Sequence, residues 1–155
     1  MPYSIAKKQL SPQPVLVARR QVQQSEIAKA IGEALPLVFS YAHRNGIAIA
    51  GPPFARYPGM GPGLMTLDIG VPVAAAPNVS DSEVRADSLP GGPAAVTTHM
   101  GPYDQLPEAF RAIGHWIQEQ GLTAAGAPWE SYITDPDNYP DPKDWRTDVF
   151  VPLAG

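Results

Sequence analysis

The chain of 155 residues contains no cysteine, which excludes disulfides, thiolate nucleophiles and sulfur-ligated metal sites. It also lacks clustered positive charge: eleven Lys and Arg residues against fifteen Asp and Glu residues leave a net charge of −4. This balance argues against direct binding to nucleic acid. No apolar run reaches membrane length and the first ten residues contain no signal-peptide core, so we expect one cytoplasmic domain over residues 1–155, without a membrane partner.

An internal repeat organises the chain. The segment Gly46–Phe54 matches Gly121–Trp129 at a shift of 75 residues, and Asp68–Val73 matches Asp148–Leu153 at a shift of 80. A period this long that occurs only twice is not typical of a solenoid. It predicts two fused copies of one supersecondary unit, the first over about residues 14–74 and the second over about 93–155.

Each copy begins with a predicted strand and a predicted helix. The strands lie near residues 15–22 and 94–99, and the helices over 26–43 and 105–120. Apolar residues recur at helical spacing in both helices: Ile27, Ile31, Leu35, Val38 and Ala42 in the first, and Leu106, Phe110, Ile113 and Ile117 in the second. We expect Asp104 to cap the second helix, Pro36 to kink the first, and Gly46 and Gly121 to end them.

Two strands are predicted after each helix, with further short strands near residues 4–9 and 83–89. This order favours an α+β fold of duplicated βαββ units related by a pseudo-twofold axis. The expected sheet is mainly antiparallel, with two helices on one face and a ligand cleft between the halves, because clefts at such internal interfaces often bind small molecules.

One acidic residue stands inside an apolar strand of the second copy. Alternation places Glu130 and Tyr132 on one strand face and Trp129 on the other, where we expect Trp129 to pack under the helices. The first copy has Ala55 at the position of Glu130 and Tyr57 at that of Tyr132. Since the fold does not require an acid there, Glu130 is the first functional candidate, as a ligand for a cation or a general base. The alternative is an edge-strand carboxylate that faces water.

Four further candidates surround the second helix. Tyr103 follows a Gly-Pro turn before the helix and is predicted to line a pocket. His99 ends the preceding strand and is either a structural histidine or an acid–base partner. Trp116 is predicted either to belong to the core or to reach the ligand cleft. Trp145 is predicted either to form a lid over the ligand or to cover a loop. The three histidines lack metal-ligand spacing, so we expect neither a metal nor a cofactor.

Four segments together resemble the GyrI-like small-molecule-binding domain, which also forms the effector-binding part of AraC-type and MerR-type regulators. These segments are His99–Tyr103, Pro128–Tyr132, Trp145–Leu153 and Pro53–Tyr57. The resemblance implies an aromatic pocket in which a glutamate at the position of Glu130 meets lipophilic cations. It also implies two other activities of stand-alone members, namely hydrolysis of strained cyclopropane rings in DNA-alkylating natural products and binding of gyrase.

We therefore expect a stand-alone protein that takes lipophilic or cationic aromatic compounds into a central cleft, with Glu130 as the key acid. The predicted ligand-binding residues are Glu130, Tyr132, Tyr57, Tyr103, His99, Trp116 and Trp145. In the hydrolase alternative, Glu130 positions and deprotonates a water or stabilises developing positive charge. Tyr132 or Tyr57 then hydrogen-bonds the substrate oxygen that gathers charge. In the third alternative the partner is gyrase or another protein. Since no DNA-binding domain is recognised, a direct nucleic-acid partner is not expected.

Overall fold

A computed structural model describes residues 3–60, 63–78 and 83–154, with Met60 described by its backbone only. Within these ranges the chain forms eight strands and two α-helices, and the predicted α+β class is confirmed. In chain order the elements are β1 (Ile5–Leu10), β2 (Gln13–Gln23), α1 (Ile27–Arg44), β3 (Phe54–Met60), β4 (Leu64–Pro72), β5 (Arg85–Leu89), β6 (Gly92–Met100), α2 (Leu106–Glu119), β7 (Trp129–Tyr132) and β8 (Arg146–Pro152).

The chain divides into two compact units of the same topology. The first unit (residues 12–90) contains α1 and antiparallel strands in the order β3-β4-β2-β5. The second unit (residues 3–11 with 91–154) contains α2 and antiparallel strands in the order β7-β8-β6-β1. The duplicated βαββ motif is therefore confirmed. Each copy gains a fourth strand, β5 in the first unit and β1 in the second.

Bridges and helix ends repeat at the shifts found in the sequence. An isolated antiparallel bridge joins Ile49 to Val73 in the first unit, and its counterpart joins Ala124 to Leu153 in the second. A glycine with positive φ follows shortly after the last residue of each helix, with φ of 64° at Gly46 and 68° at Gly121. After each glycine, the next N–H donates back to a carbonyl of the last helical turn, at 2.9 Å and 3.0 Å, which is the hydrogen bond of a Schellman end.

Two local expectations about the helices are wrong. Asp104 does not cap α2, because it lies inside a 3₁₀ turn over Tyr103–Gln105 and α2 begins after Gln105 without a side-chain cap. The buried stripe of α1 is rotated by about one position: Ala30, Ala34, Val38, Tyr41 and Ala42 are buried, while Ile27, Ile31 and Leu35 are half-buried. Small alanines allow a helix to approach a sheet closely, so the larger side chains flank the contact. Pro36 lies within the continuous helix.

The core of the second unit lies between α2 and one face of its sheet. The buried cluster consists of Ala95, Leu106, Ala109, Ile113, Ile117, Val149 and Leu153, and Phe110 packs half-buried against it. Val149 pairs with Glu130 across β7 and β8, which puts Glu130 on the face that α2 covers. Trp129 lies on the opposite face, stacked on Phe150 with ring centroids 5.1 Å apart. The expectation that Trp129 packs under the helix is therefore wrong, although its alternation with Glu130 holds.

A cluster of charged residues in the first unit is centred on one buried carboxylate. Asp68 is fully buried and accepts hydrogen bonds from Arg19 (2.8 and 3.1 Å), Arg56 (2.8 and 3.2 Å) and Arg85 (3.3 Å). Arg56 also contacts Asp87 at 2.5 Å. Burial by itself would raise the pKa of Asp68, but the hydrogen bonds from Arg19 and Arg56 outweigh it, so that the pKa lies below its ordinary value.

Candidate ligand-binding site

Glu130 and Tyr132 form a hydrogen-bonded pair on the short strand β7. Two residues along a strand return to the same face, and there the Tyr132 hydroxyl donates to Glu130 Oε2 at 2.5 Å. Both residues are buried, with 4% of Glu130 exposed. A carboxylate in such surroundings needs a hydrogen bond or a cation to offset its lost hydration. The alternative of a carboxylate that faces water is therefore wrong.

Tyr103 and Trp145 extend this pair into an aromatic group. The ring of Tyr103 lies 5.5 Å from that of Tyr132 and 4.8 Å from that of Trp145, measured between centroids. The Trp145 indole N–H donates to the carbonyl of Tyr139 at 2.6 Å, which holds that ring in place. We call Glu130, Tyr132, Tyr103 and Trp145 the acid–aromatic cluster.

The phenol of Tyr103 stays protonated over the physiological pH range. Burial is the main cause that raises its pKa, followed by the negative charges of Asp135 and Glu130. A neutral phenol can donate a hydrogen bond and presents a π face with partial negative charge. The cluster therefore combines one acidic side chain with three electron-rich rings.

His99 holds the turn that carries Tyr103. The histidine is buried, with Nε2 at 3.0 Å from the carbonyl oxygen of Pro102 and Nδ1 at 2.9 Å from the hydroxyl of Tyr3. Because a carbonyl can only accept, Nε2 carries the proton and donates; in the neutral ring Nδ1 then accepts from Tyr3. Both ring nitrogens are thus engaged within the protein, and the role of His99 in ligand binding remains a prediction.

Two other predicted residues lie outside the cluster. Trp116, on α2, is half-buried and packs against the core of the second unit. Tyr57 belongs to the first unit, where it is buried next to a register shift in β3. The roles of both in ligand binding remain predictions.

Two further residues near the cluster were not singled out from the sequence. Tyr3 is remote in sequence from His99, and no local pattern connects them. Thr147 pairs with Tyr132 and His99 on the neighbouring strands, and its buried hydroxyl has no hydrogen-bond partner among the described residues. The repeat contains a signal for Thr147, because the first copy has Leu67 at the same position.

Metal binding and membrane insertion find no structural support in the ranges described. Within residues 3–60, 63–78 and 83–154, no group of three His, Asp or Glu side chains is arranged to hold a metal ion. The helices formed by these residues are too short or too polar to cross a membrane.

A family model for the GyrI-like small-molecule-binding domain matches residues 2–154. The chain belongs to this family. No curated protein sequence matches this GyrI-like chain. The expected family membership, based on the four segments around Tyr57, Tyr103, Glu130 and β8, is confirmed.

Solved structures with the same fold include the C-terminal domain of EcmrR. The crystal structure of the EcmrR C-terminal domain has a TM-score of 0.86 at 23% identity, with 99% of each chain covered. SAV2435 bound to tetraphenylphosphonium has a TM-score of 0.64 at 14% identity, covering 100% of this chain and 95% of that one. A hydrolase encoded by lin2189 from Listeria innocua has a TM-score of 0.68 at 12% identity, with 99% and 93% covered. These similarities show a shared fold.

Proposed function

We propose that this GyrI-like domain binds lipophilic cations that carry aromatic groups, with Glu130 as the anionic partner. The observation that carries the proposal is the burial of Glu130 beside Tyr132 and the rings of Tyr103 and Trp145. A buried carboxylate attracts a cation more strongly than an exposed one, because solvent screens it less. Ring faces add cation–π attraction, and a lipophilic cation is weakly hydrated, so that its desolvation costs little.

The internal repeat supports a functional role for the acid. Ala55 is the counterpart of Glu130 in the first unit. Ala55 pairs with Ile69 and Glu130 pairs with Val149, and both partners are buried aliphatic residues on the next strand. The same strand pairing therefore forms with alanine at this position. A buried acid that the topology does not need is more readily explained by a ligand than by folding.

The family and one neighbour lead to a specific probe. Members of the family bind small molecules, and SAV2435 has been solved bound to tetraphenylphosphonium. Tetraphenylborate has nearly the same shape as this cation and the opposite charge, so the two ions separate the contribution of charge from that of apolar contact. We expect the wild-type protein to bind tetraphenylphosphonium and to bind tetraphenylborate much more weakly.

Titration calorimetry of Glu130→Gln tests the role of the acid. We expect this variant to bind tetraphenylphosphonium about 10- to 100-fold more weakly, because it loses a buried charge–charge attraction. Glu119→Gln is the matched control, since it removes the same charge from the exposed end of α2. If Glu130→Gln binds the cation as tightly as wild type, or if the wild type prefers tetraphenylborate, the proposal is wrong.

A hydrolase is the second candidate, and the hydrogen bond between Tyr132 and Glu130 is the observation that favours it. Glu130 would take a proton from a water whose oxygen bonds to a carbon of a strained cyclopropane ring. The ring bond breaks and its electron pair moves to a conjugated carbonyl oxygen. Once Glu130 holds the proton of the water, the Tyr132 hydroxyl turns from Glu130 to that oxygen and donates to it, and the proton on Glu130 then passes to the same oxygen. The product is the substrate plus one water.

Mass spectrometry over time separates the two candidates. Incubation with a cyclopropane-bearing DNA alkylator should give multiple turnovers of a product with one added water, and Glu130→Gln should abolish them. A stoichiometric complex without product would reject the hydrolase and leave the binding function. Gyrase or another protein as partner remains a prediction that a pull-down with purified gyrase would test.

A further inference from the structure

Thr147 places beside the acid–aromatic cluster a hydroxyl that has no hydrogen-bond partner in residues 3–60, 63–78 and 83–154. It lies at the start of β8, where it pairs with Tyr132 of β7 on one side and His99 of β6 on the other. Directly opposed residues on antiparallel strands project from the same face of the sheet, with Cβ atoms about 5 Å apart. Thr147 is therefore on the face of Glu130 and Tyr132. It is 0% exposed, and its Oγ1 lacks a hydrogen-bond partner among the described residues.

A buried hydroxyl without a partner is unusual and unfavourable. Thr97 shows how the same sheet satisfies a comparable group: it is also buried on this face, and its Oγ1 donates to the carbonyl of Ser4 at 2.7 Å. A valine at position 147 would fill the same volume without burying a polar atom. A buried threonine at this position thus points to a partner that is present only in another state of the protein.

The hydrogen-bond donors beside Thr147 are used elsewhere. Both ring nitrogens of His99 bond to Tyr3 and Pro102, and the hydroxyl proton of Tyr132 goes to Glu130, so neither residue donates to Thr147. The partner of Thr147 is thus to be sought in a bound molecule or in a water that accompanies it.

The internal repeat shows that the fold accepts an apolar residue here. Leu67 is the counterpart of Thr147, since Leu67 pairs with Arg20 as Thr147 pairs with His99, and it is fully buried. The second unit therefore replaces two apolar residues of the first, leucine by Thr147 and alanine by Glu130. Both replacements fall on neighbouring strands and on one face of the sheet.

We propose that Thr147 is a specificity-determining residue of the Glu130 site, and that its hydroxyl bonds a polar atom of the bound cation. The inference rests on the proposed cation-binding function and makes it more specific. The preferred ligand is a lipophilic aromatic cation with a hydroxyl or carbonyl group a short distance from its positive charge. Because Thr147 is fully buried, a ligand can contact it only after a neighbouring side chain has moved. The ring of Tyr132, which lies opposite Thr147 on the next strand, is the side chain that would turn away.

Matched phosphonium ions test this specificity. The probes are tetraphenylphosphonium and its ortho-, meta- and para-hydroxyl derivatives, titrated into wild type, Thr147→Val and Thr147→Ser. We expect at least one hydroxylated isomer to lose about tenfold in affinity with Thr147→Val and to regain most of it with Thr147→Ser. The affinity for tetraphenylphosphonium itself should change by less than about twofold, because that ion has no hydrogen-bonding group.

The outcomes separate the inference from the function on which it rests. If the wild type binds the phosphonium ions but Thr147→Val affects all four equally or none at all, the role of Thr147 is refuted and cation binding stands. If the wild type binds none of them, the proposed function fails and this inference fails with it. Thermal melts of the two variants, compared with wild type, show that they are folded in each titration.

Discussion

Replacing Asp68 with asparagine is expected to destabilise the first unit strongly. The substitution keeps the shape of the side chain but removes the negative charge on which Arg19, Arg56 and Arg85 converge. The asparagine amide can accept through one oxygen only, and its NH₂ group would face guanidinium donors. Arg56 is the critical partner, because its side chain is 11% exposed, whereas those of Arg19 and Arg85 are each 46% exposed.

The expected magnitude follows from these exposures. Breaking a buried ion pair by removing one partner costs about 3–5 kcal/mol. Half-exposed arginines contribute about 1 kcal/mol or less each, since water screens them. Arg56 keeps its contact with Asp87, which lowers the cost. We therefore expect Asp68→Asn to reduce the free energy of unfolding by about 2–4 kcal/mol.

The repeat supplies a matched control. Asp148 is the counterpart of Asp68. Asp68 pairs with Arg19 on the neighbouring strand, and Asp148 pairs with Thr98 at the equivalent position of the second unit. Asp148 is more exposed, and its ion pair is with the half-exposed Arg146. Asp148→Asn should therefore cost about 1 kcal/mol or less. Urea unfolding of both variants and wild type, followed by circular dichroism, gives the three free energies.

The effect of Asp68→Asn should depend on pH. The folded-state pKa of Asp68 is lowered, so the carboxylate stabilises the protein above the unfolded-state pKa of about 3.9, and this contribution is lost as pH falls through the lower folded-state value. The stability difference between wild type and Asp68→Asn should be constant from about pH 5 to 7 and shrink in more acidic solution. Equal costs for Asp68→Asn and Asp148→Asn, or a difference that grows on acidification, would refute the reasoning.

Three further predictions concern single groups. Thr97→Val should lower the free energy of unfolding by about 1 kcal/mol, because it removes the hydrogen bond to Ser4, while Thr147→Val should leave that free energy unchanged or raise it. Equal losses of the two variants in urea unfolding would show that both hydroxyls are hydrogen-bonded. Gly70→Ala should cost at least about 3 kcal/mol, because the added Cβ would overlap the backbone of the neighbouring strand; a melting temperature within a few degrees of wild type would contradict this. Asp135→Asn should lower the pKa of Tyr103, because burial and, after it, the negative charge of Asp135 raise that pKa. If NMR titration of the Tyr103 ring gives the same pKa in this variant as in wild type, Asp135 makes no contribution.

The candidate site was partly predictable because strand alternation is local. Spacing by two residues was enough to place Glu130 and Tyr132 on one face, and their hydrogen bond confirms it. The contacts of Tyr103 with Trp145 and of His99 with Tyr3 join residues 42 and 96 positions apart, and no local pattern connects such residues. The face of the strand that α2 covers was misjudged for the same reason.

The sequence by itself determined the two copies, their βαββ order, the glycine helix ends and an acid at position 130 that the sister copy lacks. These features depend on propensity, periodicity and self-similarity, which act over a few residues or are visible by comparing the chain with itself. Only the tertiary structure decided that β1 completes the second unit and that three arginines meet at Asp68. It also decided that Thr147, whose hydroxyl has no hydrogen-bond partner in the described part of the chain, lies beside Tyr132. Those features arise from strand pairing between distant segments, where the register sets which side chains meet.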